Sequence, residues 1–407
     1  MDASFGVLLI GTDANAYYMA RNFHEAYGIK PHLIGKVAMN FTKLSSILTY
    51  EIETKIWDSD VFVKKLKKYA LEHPQKPIIL IGTNDTYVKL IAENASVLKK
   101  YYLFNYPDLK TINVLLNKRK FYETYKNILD IPKTLFYDCK KRDFHVEMIH
   151  ELAFPIILKP ADTVKYHEHE FLGQAKIYKL GSEREVLDVI RQIEQSGYDD
   201  ALILQEFIPG DDSMLFDVVF YCDSNAKPQL MSFAQIGLQE HTPTGIGNCT
   251  VLINGYSQFP FTNEVKDKMI QFMQKIKYRG MAEFDLKYDV RDQKFKVLEI
   301  NPRQARSSYY LTACGYNLAA YLVDDLIYHK PHPFHFIDEV MALSFVPTYV
   351  IKKHIPNQAF REKVLTLSRR GKLVKPLQYA KDNGVRRRLW LLVHDINYII
   401  KYRRNVW

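Results

Sequence analysis

The chain has 407 residues, 47% of them hydrophobic and 25% charged, with a net charge of +10. That length exceeds one ordinary core, the balance excludes a disordered chain, and no apolar run of about 18 residues is present to form a transmembrane helix. Cys139, Cys222, Cys249 and Cys314 stand far apart with no CxxC pair, which argues against a disulfide frame or zinc site and for reduced thiols, as in a cytoplasm.

The opening MDASFGVLLIG lacks a basic leader and reads as a first strand rather than a signal peptide. Residues 5–10 end in Gly11-Thr12-Asp13, and a helical pattern follows from Ala16 to Tyr27. Residues 77–81 end in Gly82-Thr83-Asn84-Asp85, again before a helical pattern. Strand, small polar turn and helix make the unit of an open parallel α/β sheet, in which ligands collect at the carboxyl ends of strands. Asp13 and Asp85 sit at those ends, as turn-formers and N-caps or as substrate contacts. A GxGxxG dinucleotide motif is absent.

Asn117 to Asp130 reads as a helix broken by Ile131-Pro132. FPIILKP (154–160) is a strand ending near Lys159, followed by a polar loop over 161–175 with one glycine, Gly173. ALILQEF (201–207) is a buried strand running into Ile208-Pro209-Gly210-Asp211-Asp212. An alternating strand follows over Met214–Tyr221, then a Gly/Pro/Thr loop over 237–249 and a helix over 262–278. MAEFDLKYD (281–289) and FKVLEIN (295–301) read as a hairpin. After Arg306 a long apolar helix is expected to run to about Ile327. His167-Glu168-His169-Glu170 offers only two nitrogens, too few for a zinc centre.

Alternation puts Glu299 and Asn301 on one face of their strand, and pairing brings Asp285 next to them. Two carboxylates and an amide oxygen are hard donors that suit Mg²⁺ together with phosphates. Lys159 and Lys118, with Lys120 the alternative in the same helix, suit a polyphosphate as point charges. The backbone of the hinge after Gln205 can read an adenine edge.

The ordered set Lys118, FPIILKP, QEFIPGDD, AEFD and LEINPR resembles the ATP-grasp superfamily of carboxylate–amine ligases over about residues 1–330. The resemblance implies an α/β and α+β fold, with an open parallel pre-domain over 1–112. A central grasp subdomain spans 113–205, a metal-bearing subdomain 206–335 and a basic extension 336–407. It assigns ATP to Lys118, Lys159, Lys176, Gln205, Glu206, Ile208 and Asp212, the last on ribose. Mg²⁺, as two ions, goes to Asp285, Glu299 and Asn301, and phosphoryl or acyl phosphate stabilisation to Arg303. One departure is the phosphate loop, which in many family members is strongly glycine-rich.

Within the superfamily, LLIGTDANAYYMAR and EINPRQARSSYYLTACGYNLAAYLVDDLI look most like the D-aspartate ligases of Gram-positive bacteria. Those enzymes attach D-Asp to the lysine of the peptidoglycan precursor stem peptide, which implies a UDP-linked or lipid-linked muropeptide acceptor. Arg306, with Ser307 or Ser308, is placed on the α-carboxylate of the acid by charge and proximity. The rival readings are another amino acid or dipeptide ligase, and a non-catalytic nucleotide-binding or membrane-surface scaffold.

From Lys352 to Trp407 stand 15 Lys/Arg against three acids, so the positive charge belongs to this segment. Leu389, Leu392, Val393, Ile396, Ile399 and Ile400 form one helical stripe. The first expectation is that this stripe packs on its own domain. The alternatives are contact with the inner face of a membrane and a platform for an anionic substrate. No reading motif supports nucleic acid.

Overall fold

The computed structural model describes residues 4–162, 165–166, 168–242 and 245–404. Among these residues the strands form three sheets. Thr49–Ile52, His32–Gly35, Gly6–Ile10 and Ile78–Gly82 lie in that order, all parallel. The turns at Gly11-Thr12-Asp13 and Gly82-Thr83-Asn84 lie at the ends of adjacent strands of this sheet. Gly11 has φ +131, and a Cβ there would stand 2.0 Å from Thr83 Oγ1. A Cβ on Gly82 would stand 2.8 Å from the Val88 nitrogen. Both turns therefore need glycine to bring their helices close. Asp13 and Asn84 then cap those helices through Ala16 N–H and Tyr87 N–H.

The second sheet is antiparallel, in the order Thr134–Asp138, Ala201–Glu206, Ile156–Pro160, Tyr178–Leu180. The third has nine strands. Its main path runs Lys294–Asn301, Gly280–Asp289, Leu215–Cys222, Ala234–Gln239, Cys249–Asn254, Met341–Ser344 and Leu373–Val374. Apolar side chains of the Ala14–Tyr27 helix share one core with this large sheet and the helices after Arg306, so the parallel layer is seated beside it.

Four expectations need correction. The helix from Asn117 stops at Tyr125, with Asn117 as its N-cap. Gly237 to Gln239 belong to a strand, so the loop is shorter, and its Pro243 and Thr244 lie outside the described residues, as do Thr163, Val164 and His167. The helix after Arg306 is two helices, Tyr309–Ala313 and Leu318–Leu326, with Gly315 between them at φ +99.

The largest correction concerns the C-terminal stripe. Val385–Arg404 is one helix, but Leu389, Leu392, Val393, Ile396 and Ile400 are exposed and Ile399 half-buried. The buried face carries Arg387, Tyr398 and Tyr402 instead. Arg387 Nε lies 3.2 Å from Asp382 Oδ2, Nη1 donates to the Phe41 carbonyl at 2.9 Å, and the guanidinium lies 4.0 Å from the Tyr17 ring centroid. Asp382 also accepts from Ser45 Oγ and from the nitrogen and hydroxyl of Ser46. A buried ion left alone costs several kcal/mol, so this pairing sets the helix's rotation.

Candidate active site

The site begins with one face of three adjacent strands. Asp217 pairs with Asp285, and Asp285 with Glu299, in register; two residues along, Glu283 pairs with Asn301. Period-2 alternation puts Glu283 and Asp285 on one side, so four carboxylates and an amide share a face. A bulge makes this possible. The register shifts between Asp285 and Leu286, with Leu286 opposite Val297 and Asp285 opposite Glu299. The extra residue, Leu298, lets Val297 join the core while Glu299 turns to the other face. Tyr122 holds the bulge by donating its hydroxyl to the Leu298 carbonyl at 2.6 Å.

Crowding sets the charges. Burial, then Glu283 and Glu299, raise the Asp285 carboxyl well above its usual range. Burial and Glu283 do the same to Asp217. Glu299 is held far below the usual range, first by Lys118, whose ammonium is 3.1 Å away. The Asn301 amide nitrogen donates to Asp285 Oδ2 at 3.3 Å and Glu283 Oε2 at 3.5 Å.

Three lysines come from three other places. Lys118 opens its helix, and the alternative Lys120 is exposed. Lys159 is buried on its strand and donates to Gln205 Oε1 at 3.2 Å. Burial, then Lys118, bring its ammonium down to about 7, against a pull from Glu299. Lys176 donates to the Ile246 carbonyl at 3.4 Å, tying the segment before Tyr178 to the loop after Gln239. Burial, then Lys118, lower its pKa as well.

The hinge side chains have partners of their own. The Gln205 side chain is held between Lys159 and Thr134 Oγ1, to which its amide donates at 2.8 Å. Glu206 accepts from Lys133 N–H and from Arg291. Ile208 is buried, so the hinge offers its backbone rather than these side chains. Asp212 accepts from Gln239 N–H at 2.9 Å and Gln239 Nε2 at 2.7 Å, with His241 at 3.3 Å. The carboxylate that the resemblance assigns to ribose thus also braces the end of the neighbouring strand.

Arg303 bridges the layers. Its Nε lies 3.1 Å from Asp85 Oδ1 and its Nη1 donates to Glu283 Oε2 at 2.8 Å. Burial works against its charge, but Asp85 and Glu283 outweigh it and raise its pKa. Asp13 is raised by burial and accepts from Ala16 N–H at 3.0 Å.

Arg306 Nη1 donates to Glu240 Oε1 at 3.3 Å and Nη2 to the Tyr398 hydroxyl at 2.7 Å. Tyr398 in turn donates to Glu240 at 2.7 Å. Arg306 Nε is buried with no hydrogen-bond acceptor, which leaves a donor available for a ligand. Ser307 and Ser308 do not accompany it. Ser307 is buried and donates to Asp217, and Ser308 donates to the Ala305 carbonyl. The buried Asp217 carboxylate draws the Ser307 hydroxyl inward, which corrects its assignment to substrate.

The sequence reading missed Glu283, Asp217, Glu240 and Tyr398. Glu283 lies two residues before Asp285 in a strand, and Asp217 is an acid in an apolar strand, so both carried a signal. Glu240 and Tyr398 carried none. His169 Nδ1 lies 3.2 Å from the Ser196 carbonyl.

Among the described residues no three His, Cys, Asp or Glu side chains are gathered tightly enough to hold a metal unaided. The crowded, hard-oxygen face nevertheless fits Mg²⁺, whose shell is normally completed by phosphate oxygens and water. All four cysteines are free, and burial raises every thiol, so no nucleophilic cysteine competes with this site.

No family profile matches the chain. A D-aspartate ligase of Enterococcus faecium (strain Aus0004) is 30% identical over 409 residues, 98% of this chain and 96% of the relative. An N5-carboxyaminoimidazole synthetase from Staphylococcus aureus superposes with a TM-score of 0.62 at 14% identity, covering 86% of this chain and 85% of the other. An ADP complex of an N5-carboxyaminoimidazole ribonucleotide synthetase gives 0.63 at 13% identity, covering 91% and 86%. An L-amino acid ligase from Bacillus licheniformis gives 0.58 at 14%, covering 80% and 75%. With the ordered lysines, the acidic strand face and the two arginines in one site, the chain belongs to the D-aspartate ligase family, ATP-dependent carboxylate–amine ligases of ATP-grasp fold.

Proposed function

We propose that this ligase joins D-aspartate, through its β-carboxylate, to the lysine ε-amine of a peptidoglycan precursor stem peptide. The reading is carried by the full-length relationship to a D-aspartate ligase together with Arg306, which keeps a buried donor for a carboxylate. The γ-phosphoryl group of ATP passes to the β-carboxylate and ADP leaves. The amine then attacks the acyl carbon, phosphate departs, and the nitrogen loses a proton.

In this reading residues 1–112, 113–205, 206–335 and 336–407 are the pre-domain, the two grasp subdomains and the extension. Lys118, Lys159 and Lys176 meet the phosphates, and the backbone of Glu206 and Ile208 meets adenine. Asp285, Glu299 and Asn301 would hold Mg²⁺, as two ions, which when bound neutralises phosphate charge and fixes its oxygens. Arg303 meets the transferring phosphoryl group and Arg306 the α-carboxylate of the acid. Asp13 and Asp85, at the carboxyl edge of the parallel sheet, lie on the amine's side. The segments around 161–175 and 240–248, linked through Lys176 and Ile246, exclude water from the acyl phosphate. The acceptor is nucleotide-linked, or lipid-linked and met at the inner membrane face.

The test is mass spectrometry of products from ATP, a pool of D- and L-amino acids and cell-wall precursors. A β-aspartyl amide on the stem lysine is expected, with phosphate release dependent on both acid and precursor. Release independent of either, or a different acid incorporated, sinks the reading.

Lys159 supplies a pH test. Its folded value, about 7, lies below that of an ordinary lysine, so above pH 7 it is neutral in the free protein and must charge to meet a phosphate. Between roughly pH 7 and 9, nucleotide binding should take up about one proton, and affinity should fall by up to about tenfold per pH unit. Below pH 7 the side chain is already charged and the uptake vanishes. Calorimetry in buffers of different ionisation enthalpy reads this, with Lys159→Arg, charged throughout, as the control. Equal uptake in both proteins removes Lys159 from the phosphates.

A further inference from the structure

The outer face of the Val385–Arg404 helix has no role in the chemistry above. Val385, Leu389, Leu392, Val393, Ile396 and Ile400 are 40% to 69% exposed. At 3.6 residues per turn they cover an arc of about 100° along a helix of roughly 30 Å. Arg386, Arg388, Lys401, Arg403 and Arg404 are exposed around it, and the helix carries one acid, the half-buried Asp395. Exposed Lys352 and Lys353 add charge on the neighbouring Thr348–His354 helix. No helix among the described residues is long and apolar enough to cross a membrane.

We infer that this face docks the protein peripherally on an anionic lipid bilayer, with the apolar stripe at the headgroup–acyl boundary and the basic side chains on lipid phosphates. The charge pattern selects this occupant. A second copy would present the same surface, so arginines and lysines would meet their own kind at both ends. A bilayer of anionic lipid accepts the stripe and the bases together. The helix cannot roll to hide the stripe, because its other face is committed to Arg387–Asp382 and to the Tyr402 hydroxyl, which donates to the Gln239 carbonyl at 2.6 Å. Tyr398 on that inner face holds Arg306, so docking would place the ligase site about one helix diameter, ~10 Å, from the membrane. The surface stands on its own residues and does not depend on the substrate reading.

The experiment is flotation of the full chain with vesicles of phosphatidylglycerol and phosphatidylcholine, and with phosphatidylcholine alone. Binding to the anionic vesicles is expected, weakening with added salt. The Leu389→Glu/Ile396→Glu double variant should bind at least about tenfold more weakly, since charge replaces buried apolar surface. Arg386→Gln/Arg388→Gln should also lose about tenfold or more. Both variants alter exposed positions, so unfolding temperature and nucleotide affinity should stay those of the wild type, which separates this test from the ligase reading. Wild-type protein that ignores anionic vesicles, or a Glu variant that binds them equally well, overturns the proposal. A dimer in sedimentation velocity that the Glu variant abolishes, without vesicle binding, assigns the face to a second copy instead.

Discussion

Replacing Glu299 with Gln is expected to lower turnover by at least about a thousandfold while the fold persists. The side chain keeps its size and its place beside Asp285 in the strand pair, so the core beneath it is untouched. What changes is charge. Lys118, 3.1 Å away, loses its carboxylate, and the face loses its most firmly ionised acid. A phosphate-bound cation then has one fewer anionic ligand, while Asp285 stays raised by burial and Glu283. Steady-state phosphate release measures the loss, and circular dichroism checks the fold. Binding of Mn²⁺ with ADP, followed by electron paramagnetic resonance, should weaken in parallel. Near-wild-type turnover would falsify the metal role.

Arg306→Lys is expected to raise KM for the acid substrate by about ten- to a hundredfold, with nucleotide affinity unchanged. Lysine keeps the positive charge beside Glu240, so the buried carboxylate is not left alone. It loses the planar fork that reaches Glu240 and Tyr398 at once and still presents an unused Nε–H. Titrating acid and ATP separately distinguishes the outcomes. If Arg306 only braces Glu240, the variant loses stability and leaves KM where it was. A change confined to KM for ATP moves Arg306 out of the acid pocket.

Much of the candidate site was legible in the sequence. Lys118, Lys159, Glu299, Asn301 and Arg303 each sit in a short stretch whose local pattern places them, a helix start or a strand end. The apolar alternation of FKVLEIN also pointed to the hairpin partner carrying Asp285. The Leu298 bulge was not legible, because an extra residue leaves no trace in composition and depends on Tyr122, far away in the chain. Ser307 was misplaced for a similar reason: its partner Asp217 lies 90 residues earlier, on another strand. The hold of Gln239 and His241 on Asp212 was likewise not legible, because these contacts are made only once two strands converge.

The C-terminal helix divides the two kinds of information most clearly. By itself the sequence determined that a helix with one apolar stripe and basic ends would form there, since the 3.6-residue period and side-chain type are local properties. It likewise determined the strand–turn–helix units and the order of the lysines and acids. Only the tertiary structure decided that the stripe faces outward, that Tyr398 reaches Arg306, and that Glu299 pairs with Lys118 rather than Arg303. Those choices depend on buried polar groups finding partners remote in the chain, as Arg387 does in the Phe41 carbonyl and Tyr402 in the Gln239 carbonyl. Turning Arg387 away from Asp382 and the Phe41 carbonyl would leave buried polar groups unpaired at a cost of several kcal/mol, so these partners fix which face turns in.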